Sequence, residues 1–278
     1  MNKPLVTVAI PTCNRCSYLG TAISSVLDQT MGDLELLVID NASTDSTEAL
    51  AKSFCDRRLQ YFRNDQNIGI IENWNRAIEL AKGDYLIILG DDDRLTNSFL
   101  EESVRVHKAH PNVGLSFSHC NKVDQDGRYI RQWGYDFMPA GLARGVDYLY
   151  WTLHYEACLT NSSTALLKTS VLRKHGKFVV AYARNVFDFN MWIKIASDFD
   201  VYFIDKNLCD YRIHPLQVSQ LHWRDKFTGK IGTYLELFHI LSLLVSRSYP
   251  FSEDYLEIKI EHLTQKMAEY LKAEDDDL

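Results

Sequence analysis

The sequence lacks the two glycine-rich signatures by which many proteins bind nucleotides. No G-x-G-x-x-G follows the first predicted strand, and no G-x-x-x-x-G-K-[S/T] occurs anywhere in the 278 residues. The first pattern is typical of dinucleotide-binding folds and the second of P-loop proteins, because both arrange backbone N–H groups around phosphates. Any phosphate bound by this chain must therefore be held in another way.

The chain also lacks a basic excess, a leader sequence and a long apolar run. Lys and Arg number 30 against 37 Asp and Glu, a net charge of -7, so we expect no nucleic-acid partner. The longest apolar stretch, residues 231–245, contains Glu236 and His239 and is too short to span a bilayer. Strand-like sequence begins at Leu5 without a positively charged leader, so we expect a cytoplasmic protein without a signal peptide.

The cysteines do not complete a zinc motif. Cys13 and Cys16 form one C-x-x-C pair, and no second pair accompanies it among the six cysteines. We expect free thiols in a reducing compartment, with a redox role for the pair as the alternative.

Apolar runs alternate with helical patterns over about the first ninety residues, which predicts a parallel sheet with right-handed crossovers. The last of these runs, residues 86–89, leads through a glycine into three consecutive aspartates at 91–93. Because the carboxyl ends of parallel strands share one edge of a sheet, the loops that follow three of the strands should converge on one crevice. These loops are residues 11–16, 40–45 and 90–93.

Three carboxylates at the end of a buried strand need water, a metal ion or a cationic ligand, because unpaired buried charge is too costly. Adjacent carboxylates suit Mg²⁺ or Mn²⁺, which in turn binds substrate phosphates. The sequence therefore predicts a nucleotide or phosphate substrate held through a divalent ion. A solvated acidic turn is the alternative.

The pattern changes after residue 110. An Asp126-Gly127 turn predicts a hairpin, and the aromatic residues 133–151 predict an irregular segment over a site. From Trp223 onward the chain reads as helical. An apolar stripe on these helices can pack on the domain, form a homodimer or lie on a membrane surface. The stripe consists of Leu237, Ile240, Leu241 and Leu244.

Several segments, taken in order, resemble the motifs of family-2 glycosyltransferases, which have a GT-A fold. They are residues 6–15, 38–45, 67–69, 81–85, 90–95, 188–192 and 211–214. The resemblance covers about residues 5–220. It implies an α/β fold with a Rossmann-like, mostly parallel central sheet flanked by helices, and a small second sheet or hairpin.

The same resemblance implies a division of the chain into a catalytic domain and an extension. The catalytic domain would span residues 1–222, with a nucleotide-binding half at 1–110 and an acceptor half at 111–222. Residues 223–278 would form a C-terminal helical extension.

The resemblance further implies transfer of a sugar, with inversion, from a nucleotide-diphosphate donor to a hydroxyl acceptor. The donor would carry UDP, with GDP or dTDP as alternatives. The acceptor would be a glycan or lipid-linked glycan, in the assembly of a bacterial surface polysaccharide or glycolipid, with the protein in the cytoplasm or peripheral at the inner face of the membrane.

Residue roles follow by the same resemblance. Asp188 would be the general base, and Mn²⁺ or Mg²⁺ would be bound by Asp92, Asp93 and His214. A larger set would bind the nucleotide: Pro11, Thr12, Cys13, Asn14, Arg15, Asp40, Asn67, Gly69 and Asp91.

The residues leave several alternatives open. Asp188 also suits a helix N-cap, His214 a surface position, and Trp74, at helical spacing with its apolar neighbours, the core. Arg212 suits either a structural ion pair or the diphosphate. A non-catalytic nucleotide-sugar-binding relative and an aspartyl phosphotransferase are the competing functions, although the latter would need Thr or Val where Leu95 stands.

Three positions depart from the family pattern. Cys13 stands where an aromatic residue is common, Gly90 where many relatives carry the first aspartate, and Phe187 where an acidic residue often precedes the base.

Overall fold

The computed structural model describes residues 3–134, 138–158, 160–179, 187–215, 217 and 226–275. The strands in this part are β1 (Val6–Thr12), β2 (Leu34–Asp40), β3 (Leu59–Arg63), β4 (Tyr85–Ile88), β5 (Arg94–Leu95), β6 (Val113–Val123), β7 (Tyr129–Trp133), β8 (Gly141–Ala143), β9 (Ala165–Lys168) and β10 (Asp200–Arg212). The helices are α1 (Cys16–Leu27), α2 (Thr47–Ser53), α3 (Ile70–Leu80), α4 (Phe99–Ala109), α5 (Gly145–Tyr155), α6 (Thr169–His175), α7 (Phe187–Asp198), α8 (Lys226–Ser246) and α9 (Glu253–Asp275).

The described strands form one sheet in the order β3–β2–β1–β4–β9–β6–β10–β5, with β7 beside β6 and β8 beside β10. Strands β3, β2, β1 and β4 are parallel, as are β6 and β10, whereas β9 runs antiparallel between the two groups. The predicted α/β class is confirmed. The predicted hairpin is β6–β7, and it belongs to this sheet rather than to a second one.

Each central strand is buried on both faces because its apolar side chains alternate between two layers of helices. On β4, Leu86 and Ile88 pack against the layer that contains α3, α5, α7 and α8. Ile87 and Leu89 point into the opposite layer, which contains α1 and α4. Burying one such side chain contributes about 1.5–3 kcal/mol, so this alternation fixes the register and places the three aspartates at the carboxyl edge.

The prediction of an irregular segment at residues 133–151 is wrong for its second part. Residues 141–151 contain β8 and most of α5. A side chain at Gly145 would place its Cβ 1.8 Å from the carbonyl oxygen of Ala196, so the glycine lets α5 approach α7 closely. Farther along the chain, β10 is one long strand with register shifts near Asn207. Residues 135–137, which belong to the segment expected to be irregular, lie outside the described residues.

The C-terminal helices pack on the sheet domain. Leu237, Ile240 and Leu244 are fully buried in the same layer as α5 and α7, which confirms the packing option for this stripe. Within the described residues, no helix has the length and apolar character needed to cross a membrane. The predicted halves share one sheet, and the predicted domain boundaries stay a prediction.

Glu236 is a buried carboxyl group at the contact between α8 and α7. Its residue is fully buried, and its two oxygens accept hydrogen bonds from Asn190 Nδ2 at 3.2 and 3.3 Å. Burial raises the pKa of Glu236 to about 7. The folded state therefore holds this proton more tightly than the unfolded chain does, and stability falls as the pH rises through 7.

We expect Glu236→Gln to stabilise the protein at pH 8 by about 1–3 kcal/mol, because the neutral amide avoids burying a charge. At about pH 3, which is below the ordinary pKa of glutamate, the wild-type group is protonated in both states and the two proteins should differ little. Denaturant unfolding at both pH values measures the effect, and Glu257→Gln on the exposed surface of α9 is the matched control. Equal effects of Glu236→Gln at both pH values would contradict the prediction.

Candidate functional site

A cavity of about 350 Å³ opens at the carboxyl edge of the sheet. Each of the three predicted loops contributes to its wall, so their predicted convergence is confirmed. Helices α3 and α7 and the 3-10 turn Ser162–Thr164 complete the wall. The predicted site residues that line it are Pro11, Thr12, Cys13, Arg15, Asn67, Asp91, Asp92, Asp93 and Asp188. The other four, Asn14, Asp40, Gly69 and His214, do not line it.

Asn14 and Gly69 shape the loops. Asn14 has a φ of 55°, its N–H donates to Ser43 Oγ at 2.8 Å, and its Oδ1 accepts from the Thr44 N–H at 2.7 Å. Gly69, with a φ of 85°, immediately precedes α3 and donates its N–H to Asn67 Oδ1 at 2.9 Å. Only glycine adopts this φ without strain. Both residues therefore hold neighbouring side chains in place.

Asp40 is fully buried at the end of β2. Its carboxylate accepts hydrogen bonds from the Ser43 N–H at 2.9 Å, from Arg63 Nη1 at 2.8 Å and from the hydroxyl of Tyr61. The structure thus gives Asp40 a role in holding its own loop against β3. Its predicted contact with the base ring stays a prediction.

Asparagine side chains form a hydrogen-bonded group beside the cavity, and sequence reasoning found only Asn67 among them. Asn41 donates to Asn67 Oδ1 and accepts from Asn64, both at 2.9 Å, and Asn64 also donates to Asn73 Oδ1 at 2.9 Å. Asn41, Asn67 and Asn73 line the cavity. Nothing in their spacing along the chain predicts this group, because two of the three contacts join residues 23 and 26 positions apart.

The three aspartates differ in their surroundings. Asp91 faces the cavity, with Arg15 Nε 4.0 Å from its Oδ1. Asp92 Oδ2 lies 2.9 Å from Nε2 of His214, whose side chain is 2% exposed. Asp93 accepts hydrogen bonds from Ser163 Oγ and from the Arg212 N–H, the latter at 2.9 Å.

These contacts distinguish Asp93 from the other two aspartates of the acidic loop. Both oxygens of Asp93 are engaged, so this carboxylate joins the loop to β10 and to the 3-10 turn, and its predicted metal role is untested. At Gly90, a Cβ would lie 2.8 Å from Asp93 Oδ2, so the small residue permits this turn. Arg212 donates to the backbone carbonyls of Asp92, Asp124 and Gln125, which favours its structural alternative.

The acidic loop suits a cation. Burial, followed by the charge of Asp92, raises the pKa of both Asp91 and Asp93, so their ionised forms are disfavoured unless a positive charge is bound nearby. Asp92 and His214 offer oxygen and imidazole ligands side by side. Within the described residues, no group of three or more His, Cys, Asp or Glu is arranged to hold a metal ion. A divalent cation here would complete its coordination with substrate phosphate and water, a usual mode for Mg²⁺.

Asp188 stands in the first turn of α7 and lines the same cavity. Its Oδ1 accepts the Phe189 N–H at 2.9 Å. Burial raises the pKa of Asp188 to about 6. A carboxyl group with such a pKa is largely ionised at neutral pH and still binds a proton readily, which suits general base chemistry.

The Cys13 and Cys16 thiols are free. Burial raises the pKa of Cys13, and a hydrogen bond with Asp45 raises that of Cys16. Since the thiolate is the reactive form, these shifts disfavour the redox alternative. Cys13 instead lines the cavity beside Asn67.

A protein-family model described as Glycosyl transferase family 2 matches residues 7–174. An uncharacterized glycosyltransferase of Methanocaldococcus jannaschii is 28% identical over 219 residues, which cover 77% of this chain and 72% of that protein. A Bacillus subtilis protein provisionally named as the teichuronic acid biosynthesis glycosyltransferase TuaG is 25% identical, over 86% of this chain and 91% of its own length.

Solved structures resemble the fold. S. aureus TarS 1-349 in complex with UDP-GlcNAc gives a TM-score of 0.66 at 18% identity, covering 96% of this chain and 71% of that one. Mannosyltransferase PcManGT from Pyrobaculum calidifontis, in complex with GDP-Man and Mn²⁺, gives a TM-score of 0.62 at 18% identity. The match covers 98% of this chain and 86% of that one. These likenesses confirm the predicted GT-A type of α/β fold.

Proposed function

Because the chain belongs to glycosyl transferase family 2, we propose that it transfers a sugar, with inversion, from a nucleotide-diphosphate donor to a hydroxyl group. The observation that carries this proposal is one cavity lined by two chemically different groups. The acidic loop with Arg15 lines it, and so does Asp188 on α7.

In the proposed reaction, Asp188 accepts the proton of the acceptor hydroxyl as that oxygen bonds to the anomeric carbon. The bond between the anomeric carbon and the diphosphate oxygen breaks on the opposite face of the sugar, so the configuration inverts. The raised pKa of Asp188 supports this role, because a base that binds its proton more tightly gains more from the transfer.

The nucleotide would lie against the residues of the first two loops and α3. The amides of Asn41 and Asn67 are held in fixed positions by their neighbours and present polar groups at the wall, a usual design for orienting a ligand. Arg15 would contribute positive charge near Asp91. The UDP and GDP sugars bound by the structural neighbours support a nucleotide-sugar donor without choosing the base.

Asp92 and His214 would hold a divalent ion, and Mn²⁺ in the mannosyltransferase complex supports this choice. When bound, such an ion supplies positive charge that stabilises the leaving diphosphate. Asp93 would keep the loop in position through β10. The name of the B. subtilis relative TuaG refers to teichuronic acid biosynthesis, which supports an acceptor from surface polysaccharide assembly.

The direct test is calorimetric titration of the protein with UDP, GDP and dTDP sugars, with and without Mn²⁺, followed by assay of donor hydrolysis. We expect one nucleotide class to bind more tightly with Mn²⁺ and its sugar to be released slowly to water. Donor binding without hydrolysis, and without sugar transfer when glycan acceptors are added, would favour the non-catalytic alternative. No binding to any of the three classes would overturn the proposal.

A further inference from the structure

Trp74 forms part of the cavity wall although its position on α3 suits the core. It is partly buried, packs against the main apolar layer and borders the cavity. Its ring meets Phe187 edge-to-face, with centroids 4.8 Å apart at 80°, and Phe178 at 5.5 Å and 88°. These two phenylalanines, 7% and 1% exposed, hold the indole in one orientation.

The position of this ring relates it to the proposed base. Phe187 immediately precedes Asp188, so the indole packs against the residue adjoining the carboxylate that would take the acceptor proton. Ile70, one turn earlier on α3 and 36% exposed, extends the apolar wall. The cavity thus has an apolar wall near Asp188, whereas the acidic loop and the asparagine group form its polar parts.

A pyranose ring matches such a wall. One or both of its faces present C–H groups, and its hydroxyls project from the rim. A rigid aromatic side chain buries the C–H face, and a nearby carboxylate receives a rim hydroxyl. An open-chain polyol offers no comparable apolar face and would gain little from the indole.

We propose that Trp74, held by Phe187, binds the apolar face of a pyranose acceptor and presents one of its hydroxyls to Asp188. This inference rests on the proposed function and narrows its acceptor to a sugar ring. It makes Trp74 a specificity-determining residue and assigns it to the acceptor rather than to the nucleotide.

The test measures transfer kinetics with the donor identified above. The acceptors are p-nitrophenyl glucoside, galactoside, mannoside and N-acetylglucosaminide, with ribitol and glycerol as open-chain probes. We expect at least one pyranoside to be the better acceptor. Trp74→Leu should raise the KM for that pyranoside about tenfold, with a donor KM changed less than about twofold.

Two further variants keep the test independent of folding. Trp74→Phe retains an aromatic face and should raise the pyranoside KM less than Trp74→Leu does. Trp151→Leu on α5, whose side chain does not line the cavity, is the matched control and should leave both KM values unchanged. With fluorotryptophan-labelled protein, the pyranoside should shift one ¹⁹F resonance, and that resonance should be missing from Trp74→Phe.

The outcomes separate the inference from the function it rests on. Transfer to ribitol or glycerol in preference to every pyranoside, an unchanged pyranoside KM in Trp74→Leu, or a rise in the donor KM alone would overturn the acceptor role while leaving glycosyl transfer intact. Failure of the wild-type protein to bind any nucleotide sugar would overturn both.

Discussion

Replacing Asp188 with asparagine should lower kcat for sugar transfer by about 100- to 10,000-fold, the usual contribution of a general base. The asparagine Oδ1 can still accept the Phe189 N–H, so α7 should begin at the same place. Binding of the nucleotide sugar should change little, because Asp188 is assigned to the acceptor hydroxyl. Steady-state transfer kinetics and calorimetry of donor binding measure the two effects.

The pH dependence of the wild-type protein offers an independent check on Asp188. Since burial raises its pKa to about 6, kcat should fall about tenfold per unit as the pH drops below 6 and level off above it. Saturating Mn²⁺ is needed in this assay so that protonation of the acidic loop does not contribute. A kcat that stays constant from pH 7 to pH 5 would contradict the assignment.

A matched control for Asp188→Asn lies at the other end of the same helix. Asp198 forms ion pairs with Lys174 and Arg247, at 2.8 and 3.5 Å, and does not line the cavity. We expect Asp198→Asn to leave kcat within a few-fold of the wild-type value. A similar loss in both variants would mean that α7 is sensitive to any change of charge and would remove the evidence for a base.

Replacing Asp92 with asparagine should weaken Mn²⁺-dependent nucleotide binding about 10- to 100-fold and lower kcat/KM about 100- to 1,000-fold. An asparagine amide can still meet His214, but it lacks the negative charge that attracts a cation. The melting temperature should stay close to the wild-type value, because the asparagine can keep the contact with His214 that joins the loop to the residues after β10.

Asp93→Asn provides the contrast that this assignment requires. Because Asp93 accepts hydrogen bonds from Ser163 and from the Arg212 N–H, its replacement should lower the melting temperature more than Asp92→Asn does. Calorimetry with Mn²⁺ and scanning calorimetry of both variants separate the two roles. A larger loss of Mn²⁺ affinity in Asp93→Asn than in Asp92→Asn would support Asp93, rather than Asp92, as the main metal ligand.

The sequence alone determined the sheet edge on which the site lies. Apolar runs buried on both faces, separated by helical patterns, leave few arrangements besides a parallel sheet with loops meeting at one edge. The sequence therefore predicts, without knowledge of any contact, that loops 11–16, 40–45 and 90–93 lie close together. An acidic residue before an apolar helical stripe marked Asp188 as the start of a helix, whereas its place in the site followed only from the resemblance to the family.

Tertiary structure decided which partners each residue at that edge meets. Asp92 and Asp93 are neighbours in the chain, but only Asp92 meets His214, 122 residues away, whereas Asp93 is tied to Ser163 and Arg212. Such contacts join segments brought together by packing of the whole chain. A local pattern records periodicity and turn chemistry, and it carries no information about which distant group a side chain will meet.

The same reason explains α5 and Trp74. Residues 145–155 lack a clear helical pattern, and their helix is stabilised by contact with α7 that depends on Gly145. Trp74 has the spacing of a core residue, and only the position of α3 beside α7 leaves part of its ring at the cavity. The sequence thus determined the fold class and the acidic loop, because local periodicity encodes them. Only the folded chain decided which carboxylate, amide and aromatic groups share the cavity, because those contacts depend on long-range packing.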